Sequence, residues 1–167
     1  NLSYAVRTTD DKTEQLLRII ENVPGSGIVY MRSREGCEQL AETLRSKGFS
    51  ASYYHAGLPH VERSIRQEEW TSGKVRIMVA TNAFGMGIDK ADVRFVVHFS
   101  MCDSLESYYQ EAGRAGRDGR RSYAVLLTSS DDESKIVKRF DMEFPPLEDI
   151  KSIYEKICDY LQIAIGD

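Results

Sequence analysis

Two arginines three residues apart, Arg114 and Arg117, stand in the run Tyr109-Gln110-Glu111-Ala112-Gly113-Arg114-Ala115-Gly116-Arg117-Asp118-Gly119. Helical spacing puts Gln110, Gly113, Arg114 and Arg117 at i, i+3, i+4 and i+7, which predicts one continuous stripe, polar and cationic where a structural helix would be apolar. Two glycines in one short helix cost about 1 kcal/mol each relative to alanine, a cost that fits a backbone that must approach a ligand or another lobe. Guanidinium groups stay charged and match phosphate oxygens with a fork of donors, so this pair suits recognition of a triphosphate. The plain alternative is a solvated helix end with cations near its carboxyl dipole.

Three other segments combine polar atoms with small residues. Thr81-Asn82-Ala83-Phe84-Gly85-Met86-Gly87-Ile88-Asp89-Lys90 pairs two glycines with Thr81, Asn82 and Asp89, as a loop that holds a phosphate or sugar would, or as a tight strand connection would. In Tyr30-Met31-Arg32-Ser33-Arg34 a strand end enters a helix, so Ser33 and the helix N-terminus can face an anion beside Arg34, unless Ser33 is an N-cap and nothing more. His55 in Tyr54-His55-Ala56-Gly57-Leu58 is a lone histidine, a structural residue by default. The small residues beside it would let a sugar-phosphate strand lie against the backbone.

Other chemistries find little support. Cys37, Cys102 and Cys158 never form a C-x-x-C pair, and His55, His60 and His98 are scattered, so no metal site is expected. Cys37 lies on the apolar side of its helix as a buried, reduced thiol, which fits a reducing compartment. A phosphate loop G-x-x-x-x-G-K-[ST] is missing: Pro24-Gly25-Ser26-Gly27 lacks the lysine and Thr71-Ser72-Gly73-Lys74 lacks the first glycine. No D-E-x-H is present either.

The elements that must position these residues alternate between two periods. Apolar runs at 27–31, 51–54, 75–80, 94–99 and 122–128 read as strands covered on both faces, as in parallel sheets. Between them fall helices with readable ends. Thr9-Asp10-Asp11 caps one, Ser33 caps a second that Gly48 closes, Pro59 opens a third ending near Trp70, and Asp103 with Glu106 starts a fourth. The predicted fold is α/β, a three-layer sandwich around a mostly parallel sheet, over residues 1–140, including a helix at 131–139. Phe144-Pro145-Pro146 then breaks the chain, and residues 141–167 form a short helical extension that begins a following module. In such sheets ligands bind at the carboxyl ends of the strands.

Composition sets the outer bounds. The chain has 167 residues, 41% hydrophobic and 29% charged, as an ordinary globular domain does. No apolar run approaches the ~20 residues that span a bilayer, so no membrane partner is expected. The net charge of −4 is unevenly spread: residues 1–130 hold 17 basic and 16 acidic side chains, and residues 131–167 hold 5 and 10. A polyanion partner must therefore meet a local basic surface. The start without Met and the abrupt end point to a piece of something longer.

Taken in order, these segments resemble the second RecA-like lobe of superfamily-two helicases, over roughly residues 2–139. Residues 28–44 look like the fourth helicase motif, 79–90 like the fifth, and 110–117 like the sixth, Q-x-x-G-R-x-G-R. Ala83-Phe84-Gly85-Met86-Gly87-Ile88-Asp89-Lys90 followed by Asp92-Val93-Arg94, and Gln110 through Gly119, are similar to the RecQ wording, as is the 54–58 element. A DEAD-box RNA helicase would show a histidine where Gln110 stands. The resemblance implies an ATP-dependent DNA helicase acting in recombination and repair. Arg117 would be the arginine finger, with Arg114 beside it, and Asp89, Gly87 and Gln110 would serve the nucleotide. Ser33, Arg34, His55, Gly57, Thr81 and Asn82 would hold the DNA backbone. It further implies ATP and Mg2+ bound mainly by a missing N-terminal RecA-like lobe, single- or double-stranded DNA as substrate, and a cytoplasmic setting, the bacterial cytoplasm or nucleoid. RecQ proteins commonly continue into a four-cysteine zinc module. Cys158 is the only cysteine after Cys102, which points to a branch lacking it or a chain stopping short. An RNA-helicase lobe and a non-enzymatic nucleotide-binding module of the same fold stay open as alternatives.

Overall fold

The computed structural model describes residues 1–85 and 88–163. The chain divides into two compact units, Asn1–Ser130 and a second beginning at Asp131. That division falls before the boundary expected after residue 140, so the helix Asp132–Glu143 opens the second unit instead of closing the first.

In the first unit the order is β1 (Leu2–Thr8), α1 (Lys12–Asn22), β2 (Ser26–Tyr30), α2 (Arg34–Ser46), β3 (Ala51–Tyr54), α3 (His60–Thr71), β4 (Ile77–Ala80), β5 (Val93–His98), α4 (Leu105–Ala112) and β6 (Ser122–Thr128). The strands form one sheet in the order β1-β6-β5-β2-β4-β3, and every neighbouring pair is parallel. The expected α/β fold is present. β1 was not expected. It lies at the sheet edge, where Tyr4 and Val6 stay exposed, so it never needed the continuous apolar run that marks a buried strand.

Side chains alternate across the sheet, and the two faces carry separate cores. Val29, Ile77, Val79, Phe95 and Val97 pack with Leu16 and Ile20 of α1 and Cys37, Leu40 and Leu44 of α2. On the other face Ile28, Tyr30, Met78, Ala80 and Val96 pack with Trp70 of α3 and with Phe84, Ile88 and Ala115. Trp70 is fully buried and its indole N–H donates to Gly27 O at 3.2 Å. Helices therefore cover the first face, whereas α3, α4 and two irregular segments cover the second.

Most helix starts are those read from the sequence. Asp11 Oδ1 accepts from Glu14 N and Ser33 Oγ from Gly36 N, and Pro59 stands at the head of α3. α4 begins one residue later than expected: Ser104, not Asp103, accepts from Ser107 N, while Asp103 pairs with Arg32. In the second unit α5 (Asp132–Glu143) and α6 (Leu147–Leu161) leave Phe140, Phe144, Ile150, Ile153, Tyr154, Ile157 and Leu161 exposed. Among the described residues no helix is long and apolar enough to cross a membrane.

Candidate functional site

β4 and β5 flank β2 on opposite sides and both run parallel to it. The connection between them must therefore travel from the carboxyl edge of the sheet back to its amino edge. No helix is found in its described part. Three side chains pin it by its carbonyls: the Tyr30 hydroxyl donates to Phe84 O at 2.9 Å, Arg114 Nη1 to Gly85 O at 2.6 Å, and Arg117 Nη1 to Ile88 O at 3.0 Å. Lys90 anchors its far end, donating to Thr71 O and pairing with Asp92, each at 3.0 Å. Met86 and Gly87 lie outside the described residues, and with them the expected nucleotide contact of Gly87.

Both arginines are thus aimed at the glycine-containing loop, but not from a helical stripe. α4 ends at Ala112 and Gly113 is its C-cap, so Arg114 and Arg117 sit on the turns that follow. Arg114 N and Ala115 N still bond back three residues, to Glu111 O and Ala112 O. Gly116, at φ +71°, then turns the chain, and its N–H donates to Val93 O while that of Asp118 donates to Ala91 O. These bonds bring Arg117 to the amino ends of β5 and β2, whereas the expectation was the carboxyl ends. Gln110 stays on α4, exposed.

The two arginines differ in setting. Arg114 is half-buried, and its Nε has no hydrogen-bond partner among the described residues. A Cβ at Gly85 would run into its guanidinium, so this glycine is needed for close approach. Arg117 is 39% exposed and also lies 3.4 Å from Asp89, whose side chain is almost wholly in solvent. An exposed pair of this kind holds its partners loosely, and the contacts to Ile88 and Asp89 use Nη1 alone.

The other candidates gather at the opposite, carboxyl edge. Tyr30, Ala80 and Tyr54 end three adjacent strands in register, so Ser33, Arg34, His55, Gly57, Thr81 and Asn82 all follow from one edge. Ser33 is the N-cap of α2, its Oγ accepting from Gly36 N at 3.0 Å. Arg34 is exposed and its Nη1 lies where a Cβ on Gly57 would press, so bare backbone and a guanidinium adjoin there. His55 is buried; its Nε2 meets Glu38 Oε1 at 2.9 Å and its ring stacks on Tyr53. Its Nδ1 has no hydrogen-bond partner among the described residues and lies beside Gly57. Thr81 is buried and Asn82 exposed.

Two residues were not singled out from the sequence. Tyr30 supplies the first loop pin; burial pushes its phenol well up, and the neighbouring Arg114 offsets only part of that. Its position as the last residue of a buried strand was the available signal. Glu111 was read only as part of the arginine run. It accepts from His98, with Nε2 to Oε2 at 3.0 Å, and from the Cys102 thiol at 3.5 Å. Burial and then Glu111 raise the Cys102 thiol to about 12, so it stays protonated near neutrality.

With this geometry in place, similarity to known proteins becomes decisive. The helicase conserved C-terminal domain matches residues 11–119. The chain belongs to that family. Within it the strong similarities are of RecQ type. The chain is 51% identical over 135 residues to the ATP-dependent DNA helicase hus2/rqh1 of Schizosaccharomyces pombe, covering 79% of this chain and 10% of the relative. To the ATP-dependent DNA helicase Q5 of Rattus norvegicus it is 54% identical over 112 residues, covering 67% and 12%. To the ATP-dependent DNA helicase RecQ of Pasteurella multocida it is 49% identical over 128 residues, covering 76% and 20%. The chain thus spans about a tenth to a fifth of the length of these relatives. Among solved structures, the E. coli DEAD-box protein SrmB superposes with a TM-score of 0.71 at 30% identity, covering 78% of this chain and 79% of that one. A DEAD box protein from Methanococcus jannaschii does so at 0.69 and 28%, covering 84% and 39%. The fold is the RecA-like one expected.

Proposed function

We propose that this chain is the second motor lobe of an ATP-dependent DNA helicase of RecQ type. It would complete an ATPase whose phosphate loop and Mg2+ ligands lie in an N-terminal RecA-like lobe of the same protein. One observation carries the reading: the segment 81–89 begins beside the nucleic-acid candidates at the carboxyl edge and ends at Arg117 and Asp89 by the amino edge. A single pinned strap thereby joins the surface suited to a sugar-phosphate strand to the arginine suited to a triphosphate.

The residues present fit that nucleotide. Arg117 holds the loop by one guanidinium nitrogen and is more than a third exposed, so it can reach an anion on a facing lobe. ATP bound there would supply the phosphoryl group, and Arg117 would meet the charge gathering on it, a role worth ~10³–10⁵ in rate in related systems. Arg114, tucked against Gly85, would act as a positioning residue that holds the strap when the lobes close. Asp89 and Gln110, both exposed, would meet the nucleotide. At the other edge Ser33, Arg34, Gly57 and Asn82 would contact backbone phosphates without reading bases.

A lobe acting on RNA shares the fold, as the likeness to DEAD-box proteins illustrates. DNA is favoured because identity reaches 47–54% with several DNA helicases but 21–30% with the DEAD-box structures. A part in recombination and repair, with a cytoplasmic or nucleoid location, follows from the RecQ resemblance. In the full-length protein, Arg117→Ala is expected to lower DNA-stimulated ATP hydrolysis by about 10³-fold or more, with fluorescent-nucleotide binding nearly unchanged. Turnover surviving within a few-fold would remove the finger assignment. Strand displacement on DNA against RNA duplexes decides the substrate.

A further inference from the structure

Spacing alone offered no reason to group His98, Cys102 and Glu111, yet the fold brings them to one point. His98 ends β5, Cys102 lies in the loop that follows, and Glu111 is on the last turn of α4. One donor atom from each lies within 4.8 Å of the others. Glu111 Oε2 is 3.0 Å from His98 Nε2 and 3.5 Å from Cys102 Sγ. A tetrahedral zinc with bonds of about 2.0–2.3 Å wants its donors roughly 3.3–3.8 Å apart, so the two separations to Glu111 are already near that range and only the third, within 4.8 Å, has to close, by about 1 Å.

The surroundings are built as a site and not as a chance surface cluster. His98 is fully buried and stacks on Tyr30, with ring centroids 5.6 Å apart. Its Nδ1 has no hydrogen-bond partner among the described residues, so the bond from Nε2 to Glu111 alone sets the ring's tautomer. The Glu111 carboxylate is 12% exposed. A thiol, an imidazole and a carboxylate converging in a half-enclosed space form a mixed donor set that suits zinc(II) better than magnesium or calcium, which want oxygen alone. A cleft lined by Tyr30, Asn82, Ser107, Cys102 and Glu111 adjoins them and leaves room for a water as fourth ligand.

We propose that His98, Cys102 and Glu111 bind one zinc(II) ion, its fourth position open to this cleft. On binding, the Cys102 thiol gives its proton to solvent and the thiolate takes the metal. His98 releases the proton it donates from Nε2 and takes one up on Nδ1, which frees Nε2 for the metal, and Glu111 exchanges its two accepted hydrogen bonds for the cation. The ion ties the end of β5 to the last turn of α4, directly before the turns that bear Arg114 and Arg117. The site does not rest on the motor reading, and a failed arginine experiment would leave it standing.

The test uses the 167-residue chain, stripped of metal and titrated with zinc against a chromophoric chelator, and separately with cobalt(II). One zinc per chain is expected, with a thiolate-to-cobalt charge-transfer absorption that persists in Cys37→Ser and Cys158→Ser and vanishes in Cys102→Ser. Zinc affinity should fall at least tenfold in Cys102→Ser and Glu111→Gln, with circular dichroism confirming that each variant is folded. In the unmodified chain, zinc should slow alkylation of Cys102, read by peptide mass mapping, which does not depend on any variant folding. No zinc binding, a cobalt–thiolate band that survives Cys102→Ser, or alkylation of Cys102 indifferent to zinc would each overturn the site.

Discussion

Tyr30 and Gly85 both help to hold the strap between β4 and β5, and each works through a single atom or the lack of one. The Tyr30 hydroxyl satisfies the buried Phe84 carbonyl. Removing it leaves that acceptor unpaired, at a cost of about 1–3 kcal/mol, with ring packing unchanged. Tyr30→Phe should therefore shift the urea midpoint downward without altering the slope. Gly85→Ala places a methyl group where the Arg114 guanidinium lies. The flexible end of the arginine must swing away, giving up its 2.6 Å bond to Gly85 O, for a comparable loss of about 1–3 kcal/mol. If both midpoints stayed at the unmodified value, the carbonyl pins would be idle.

Among the elements, α2 shows how burial couples to pH. Its Cys37 is fully buried, and burial first and Glu38 second raise its thiol from 9.0 to about 12. The unfolded chain releases this proton near pH 9 and the folded chain near 12. Between those values the folded state binds more protons, so stability falls as pH rises; below pH 9 the contribution is fully present. Stability measured by denaturant from pH 8 to 11 should decline, and Cys37→Ala should flatten that decline while costing packing at neutral pH. An equal slope in both proteins would assign the alkaline loss elsewhere. α4 makes a different point. It stops at Ala112, and the turns after it, not a longer helix, carry the arginines across the sheet.

For the whole molecule, the proposed role would require a chain of net charge −4 to meet a polyanion. Residues 1–130 carry a net +1, so long-range attraction is weak and binding depends on a few local contacts. The isolated chain is expected to bind single-stranded DNA weakly, its log affinity falling with log salt at a slope reflecting about two to three phosphates. Arg34→Ala should reduce that slope by about one, since Arg34 is exposed beside Gly57 at the carboxyl edge. A slope unaffected by this change would place the strand on another surface. On the proposed reading the same chain should show no DNA-stimulated ATP hydrolysis, because the groups that hold the phosphates and Mg2+ would belong to a facing lobe.

What could be known before folding was whatever local chemistry dictates. Five strands announced themselves as apolar runs because they are buried on both faces, and Asp11, Ser33 and Pro59 marked helix starts because capping acts within one turn. Motif order and spacing carried the family, since those residues are consecutive in the chain. Three things required the tertiary structure. Edge strand β1 exists through its pairing with β6, not through its own pattern. Arg117 reaches the amino edge because Gly116 turns and bonds to Val93, a contact that helical periodicity cannot foresee. His98, Cys102 and Glu111 converge because a parallel strand and the helix returning over it fold one stretch of chain back on itself, and proximity of that kind is a property of topology, not of spacing.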